Sequence, residues 1–300
     1  MIIIGGINLE SNSIRFTVAI SAYNVEEYID RAIKSVLNQN FKNYELLIVD
    51  DCSTDNTVEE AKKYLNDNIK LYYTTHNTGT AAGPRNVAIE NAKGEYILFL
   101  DGDDTLYDET TLEKIDKTIG TEVPDIAFFG FEDVGQGNKA RISTEENSTK
   151  EARLICDLSF SVSSRCWRKE FIDKNKMRFV EGMYYEDELF SLKGTILSKS
   201  TMHGEFSIFK YYRNRKGSIM SSPSIKKCSD WYRMLAEVTD LYKITPEEYK
   251  PYLLSFIENE NESIPKRIKA ILIALENHEA IKLLPKRNYK YKDFWKDEEN

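Results

Sequence analysis

From residue 16 to residue 104, unbroken apolar runs alternate with segments of helical period. Residues 16–21, 44–49, 69–73 and 96–100 are each dominated by branched and aromatic side chains. Runs of this length without polar alternation read as strands buried on both faces. Between the first two, residues 25–38 place apolar side chains at 25, 29, 32, 33, 36 and 37, the spacing of an amphipathic helix. Helices are also predicted over 57–65, capped by Ser53 or Thr54, and over 85–92. Strand and helix in strict alternation imply right-handed crossovers and a parallel sheet. The fold class is therefore α/β, doubly wound and mostly parallel, in which ligands bind beyond the carboxyl ends of the strands.

The pattern loosens after residue 104. It predicts a helix over 110–119, a strand over 126–131, and a polar loop over 132–150. Order returns over 161–171, a helix follows over 189–197, and 206–213 reads as extended. From about 224 the texture changes to long segments rich in Lys, Glu, Leu and Ile. This divides the chain into a leader (1–14), an α/β domain (15–222) and a helical C-terminal region (223–300).

Composition narrows the classes. Fourteen Phe and 18 Tyr in 300 residues can fill a sizeable core. A net charge of −8 argues against a nucleic-acid partner. The four cysteines (Cys52, Cys156, Cys166, Cys228) have neither CxxC spacing nor His companions, which favours a reduced, cytoplasmic protein over a disulfide or zinc scaffold. No apolar run reaches the length of a membrane span, although work at the inner face of a membrane stays compatible with the sequence.

The candidate chemistry sits at the predicted strand ends. Asp101-Gly102-Asp103-Asp104 puts three carboxylates within four positions after the fourth strand. Such crowding calls for a cation, and a divalent ion held by few carboxylates completes its shell with water and phosphate oxygens. The plain alternative is an Asp/Gly turn. Asp50 and Asp51 end the second strand in the same way, with turn-and-cap chemistry as the alternative. Asn77, Gly79 and Arg85 could present amides and a guanidinium to phosphate or sugar. Glu186 and Asp187 raise each other's pKa, which suits a general base, though acids before a helix also satisfy its dipole. The basic run Arg213 to Ser218 could pair with a diphosphate or be a solvated turn, and the short cluster Lys266, Arg267 and Lys269, which follows the acids of 258–262, is not read as a membrane-binding patch.

Taken together, six stretches resemble the family 2 inverting glycosyltransferases of the GT-A fold over residues 16 to about 220. They are 18–24, 49–55, Asn77-x-Gly79 with Arg85-Asn86, 94–104, Glu186-Asp187 with Phe190, and 212–218. The resemblance implies a nucleotide-sugar donor, UDP-linked above all, with a Mn²⁺ or Mg²⁺ ion and inversion at the anomeric carbon. It implies that Tyr23 stacks on or lines the base, that Ala22 and Asn24 are nucleotide- or donor-binding, and that Asp51 binds the base edge. Asn77, Arg85, Asp101, Gly102, Arg213, Arg215 and Ser218 fall at donor positions. Asp103, with Asp101 and a supporting Asp104, falls at the metal; Asp187, with Glu186 beside it, falls at the catalytic base. Ala22 stands where the family usually has proline. The Gly79–Asn86 loop is one residue longer than its commonest form, a variant similar to that of the subgroup acting on teichoic acids and related surface polymers. A glycan, polymer or lipid-linked acceptor is implied. The family uses tails like 223–300 for oligomerisation, acceptor capture or membrane docking, so a homo-oligomer or a peripheral membrane association is left open. Two rivals are a haloacid-dehalogenase-like phosphatase using Asp101 in an Asp-x-Asp-x-Thr pattern, and a non-catalytic nucleotide-sugar binder. The first would place that pattern after its first strand, and the second has no use for Asp187.

Overall fold

At the centre of the sheet β1 (Phe16–Ala22) runs parallel to β2 (Tyr44–Asp50) on one side and β4 (Tyr96–Asp101) on the other, with β3 (Ile69–Tyr73) outside β2. The chain winds outwards through β2 and β3, then returns to the other flank of β1 at β4. The reversal opens a crevice between the carboxyl ends of β1 and β4, where ligands of doubly wound sheets bind. The crossovers are α1 (Ile29–Leu37), α2 (Thr57–Lys62) and α3 (Ala82–Asn91). Side chains alternate across the sheet, so Val18, Ile20, Leu98 and Leu100 meet Ile29, Ala32, Ile33 and Val36 of α1. On the opposite face Ala19, Ile97 and Phe99 meet Ala82, Ala88 and Ile89 of α3. The computed structural model describes residues 14–135, 139–141, 161–212, 225–251 and 253–254.

Beyond β4 the sheet becomes mixed. The remaining elements are β5 (Thr105–Leu106), α4 (Thr111–Ile119), β6 (Ile126–Val134), β7 (Lys139–Arg141), β8 (Arg165–Arg168), α5 (Lys169–Lys174), α6 (Glu186–Leu197), β9 (Thr201–Tyr212) and α7 (Ile225–Ile244). β8 pairs antiparallel with β4 and β6, and β9 runs parallel to β6, giving the order β3-β2-β1-β4-β8-β6-β9-β5 with β7 paired to β6. Within the polar stretch expected to be a loop, 132–134 extend β6 and 139–141 form β7; Asp133 is buried. β9 begins five residues before the predicted 206. The predicted cap of α2 also differs. Ser53 and Thr54 bond to Asn24, and Asp55 takes the Thr57 amide at 3.0 Å.

Close approach explains one glycine. A Cβ on Gly94 would lie 2.4 Å from the Thr17 nitrogen and 2.6 Å from the Phe16 carbonyl carbon. Gly94 N–H donates to the Thr17 hydroxyl at 2.9 Å. Gly94→Ala should therefore force the backbone of β1 aside and cost about 1–3 kcal/mol, read as a lowered denaturation midpoint at unchanged slope.

The first C-terminal helix docks on the helix that carries the second acid pair. Trp231, Met234, Val238 and Leu241 of α7 pack against Met183, Leu189, Leu192 and Ile196. The basic cluster at 266–269 lies outside the described residues. Among those described, no helix is long and apolar enough to cross a membrane.

Candidate active site

The loops after β1 and β2 are stitched to each other. Asn24, in the left-handed region at φ 48°, donates its amide to the Ser53 hydroxyl at 3.0 Å and accepts from the Thr54 amide at 2.8 Å. This holds Tyr23, 43 % exposed, at the rim of the crevice. Asp51 is buried. Its carboxylate accepts from the Thr74 hydroxyl at 2.8 Å and from the Thr78 amide at 3.0 Å. Asn77, expected at the donor, is instead used by its own loop: it donates to the Asp51 carbonyl and accepts from Gly79, both at 2.9 Å, and does not line the cleft.

At the end of β4 the chain turns sharply. The Gly102 amide donates to the Ser21 carbonyl at 2.9 Å, and a Cβ there would sit 3.0 Å from that oxygen. Glycine at 102 thus lets the acidic turn fold tightly over β1. Asp101 and Asp103 line the cleft, whereas Asp104 is almost wholly buried and accepts the Tyr212 amide at 2.9 Å. Burial, then the charges of Asp101 and Asp103, push the Asp104 carboxyl well above its ordinary value.

Arg85 joins the two acid groups. Its guanidinium is buried, 2.9 Å from Asp101 and 3.2 Å from Glu186, and lies 5.4 Å from the centre of the Phe179 ring. Its Nε has no partner. The sequence placed Arg85 at phosphate or sugar; in the structure it spans the acidic turn after β4 and the opposite wall. Its neighbour Asn86 pins that wall, exchanging hydrogen bonds with the Phe179 backbone at 2.9 and 3.0 Å.

The opposite wall is the first turn of α6, which starts at Glu186, three residues before the predicted 189. Tyr185 enters the helix in the left-handed region, φ 67°, a strained conformation for an aromatic residue. Glu186 is buried and its carboxyl is pushed up to about 8, by burial first and Asp187 next, against the pull of Arg85. Asp187 opens onto the cleft but is hemmed in elsewhere. Burial raises its carboxyl too, again opposed by Arg85. If Asp187 acts as a base it must be ionised. The acid limb of kcat/KM should then lie above the ordinary carboxylate range of about 3.9–4.3; a limb within that range would remove Asp187 from that role.

These groups share one cleft of about 620 Å³. It brings together Ala22, Tyr23, Asn24, Asp51, Arg85, Asp101 to Asp104, Glu186 and Asp187, while Arg213, Arg215 and Ser218 lie outside the described residues. Phe131, Phe209, Tyr211, Tyr184 and Lys227 also line it, and the sequence did not single them out as site residues. The i, i+2 spacing of Phe209 and Tyr211 on β9 was the one available signal; Lys227 reaches the cleft only because α7 docks on α6. Among the described residues no three His, Cys, Asp or Glu side chains converge into a ready-made metal cage.

A parallel α/β half with an acidic turn at its switch point, facing a second acid pair across one cleft, is a GT-A layout. A solved structure of residues 1–349 of Staphylococcus aureus TarS, in complex with UDP-GlcNAc, shares this fold: TM-score 0.73 at 24 % identity over 85 % of this chain and 79 % of that one. The chain belongs to glycosyl transferase family 2, whose profile matches residues 17–180. It is 28 % identical over 259 residues to the poly(ribitol-phosphate) β-N-acetylglucosaminyltransferase TarS of S. aureus Mu50, covering 84 % of this chain and 45 % of that protein. With TarP of S. aureus N315, described by the same activity, it shares 32 % identity over 194 residues, 62 % of this chain and 59 % of TarP. The chain thus spans about half the length of these curated relatives. Family membership leaves the phosphatase reading without support.

Proposed function

We propose that the chain is a metal-dependent inverting glycosyltransferase that moves a sugar from a UDP-sugar to a hydroxyl of a cell-surface glycan or teichoic-acid-like polymer. The observation that carries this reading is the facing of Asp101–Asp103 and Asp187 across a single cleft. Support for UDP and for a polymer acceptor comes from the TarS complex with UDP-GlcNAc and from the names of TarS and TarP. Work at the inner face of a membrane is part of this reading.

In this reading Tyr23 offers its ring to the base and Asp51, held by Thr74 and Thr78, fixes the loop that meets the base edge. Asp187 takes the proton of the attacking acceptor hydroxyl on the side of the sugar away from the diphosphate, which is what inversion requires. Glu186 retains a proton near neutral pH and spares Asp187 a second full charge.

The donor set fits Mn²⁺ or Mg²⁺. Asp101 and Asp103 offer few protein ligands, as such ions accept when phosphates complete the shell, and both residues line the cleft. Asp103 and Asp101 would hold the ion, with Asp104 supporting the turn from behind. When bound, the ion supplies positive charge to the departing diphosphate.

A thermal-shift panel of nucleotide diphosphates and nucleotide sugars, each with and without Mn²⁺, tests the reading. A ligand at one hundred times its Kd adds about 2.7 kcal/mol. A metal-dependent shift with a UDP-sugar is expected, and Asp103→Asn should erase it. If no nucleotide shifts the midpoint in either condition, the donor site is wrongly assigned.

A further inference from the structure

Three polar side chains at a spacing of four, Arg31, Ser35 and Gln39, run along α1 and just past its end on the face turned towards the acidic turn. Each is bonded to backbone of 103–112. The Arg31 guanidinium donates to the Asp103 carbonyl at 2.6 Å. The Ser35 hydroxyl accepts from the Leu106 amide at 3.0 Å. Gln39, fully buried, donates to the Asp108 carbonyl at 2.6 Å and accepts from the Leu112 amide at 2.9 Å. Residues spaced by four share one helix face, so α1 holds the segment after β4 as a row of pegs.

Arg31 does more than the other two. Its guanidinium carbon lies 3.7 Å from the centre of the Tyr212 ring, inside cation–π range. The Tyr212 amide is in turn held by Asp104. β5 pairs with β9 at Thr105–Lys210 and Leu106–Phe209. One side chain on α1 therefore touches both the turn bearing Asp101 and Asp103 and the last described residue of β9. Its Nε is buried without a partner, a cost accepted to keep the guanidinium in that plane.

We infer that Arg31 is a positioning residue of the donor site: it locks the acidic turn to the end of β9 and so fixes the direction in which Asp103 is presented. The inference rests on the donor-site reading above. Arg31 does not line the cleft; it acts through the Asp103 backbone and Tyr212. Without it the Asp103 carbonyl loses its charged donor and the Tyr212 ring loses its cation, which leaves the Asp104–Tyr212 bond and the short β5–β9 pairing to hold the turn.

Two measurements on the full chain decide it. By calorimetry, UDP with Mn²⁺ should bind Arg31→Ala about tenfold more weakly than wild type. Adding Tyr212→Ala to that variant should weaken it little further, because both changes break one lock. By hydrogen exchange without ligand, the Tyr212 amide and the amides of 102–104 should lose protection in Arg31→Ala, while those of β1 and β2 keep theirs. A folded Arg31→Ala that binds UDP with Mn²⁺ as wild type does would overturn the inference, even with a lowered thermal midpoint. Should wild type itself bind no UDP with Mn²⁺, the donor reading fails, and unchanged protection at Tyr212 would then sink the lock as well.

Discussion

Asp187→Asn is expected to leave the nucleotide-dependent thermal shift intact and to lower turnover by roughly 10²–10⁴-fold, the usual contribution of a positioned general base. Asparagine is the fitting replacement. The Asp187 carboxylate accepts the Glu188 amide at 3.0 Å, and an amide oxygen can still do so, so the first turn of α6 keeps its shape. What disappears is the capacity to take a proton. Glu186 is poorly placed to compensate, because it is buried against Arg85 and its carboxyl, raised to about 8, is mostly protonated near neutrality. Glu186→Gln should accordingly cost far less turnover than Asp187→Asn. Initial rates with saturating donor and acceptor measure both; equal losses in the two variants would mean that the base is the pair, not Asp187.

The parallel half of the fold was written in the sequence because its strands carry the pattern on their own. Val18 to Ile20, Leu46 to Val49 and Ile97 to Leu100 are buried on both faces, and an apolar run needs no knowledge of neighbours to be recognised. Strand-end acids followed from the same reading. The mixed half was harder. β6 continues through Glu132 and Asp133, polar residues whose pairing depends on β7 and β9, distant in sequence. β9 opens with Thr201, Met202, His203 and Gly204, which show no clean alternation. Arg31, Ser35 and Gln39 look in sequence like the wet face of an amphipathic helix, and only the return of 103–112 over α1 buries Gln39 and half-buries the other two. Arg85 was visible as a cation at a helix start, but its span from Asp101 to Glu186 arises from packing between α3 and α6, which no local pattern encodes.

That span gives Arg85→Met a second large expected effect, on stability. Breaking a buried charge pair by removing one partner typically costs ~3–5 kcal/mol, since the other charge is left in a poor solvent. The lower end, about 3 kcal/mol, applies, because the Asp101 side chain remains 36 % exposed and Glu186 can keep its proton. The pH dependence carries a definite sign. Glu186 has an ordinary value of 4.5 and a folded value of about 8. Between those values the folded chain holds a proton that the unfolded chain has released, so wild-type stability falls as pH rises across that window. Arg85 opposes this for Glu186 and for Asp187, lowering both. Removing it raises both carboxyls further. The deficit of Arg85→Met should therefore be smallest near pH 5, where Glu186 is protonated with or without the arginine, and grow towards pH 9. The acid limb of the rate profile should move upwards with it, because the same guanidinium holds Asp187 in its ionised form. Urea melts at a series of pH values, beside kcat/KM over the same range, test the linkage. A deficit that shrinks as pH rises would show that Arg85 stabilises the wall by packing against Phe179 rather than by its charge.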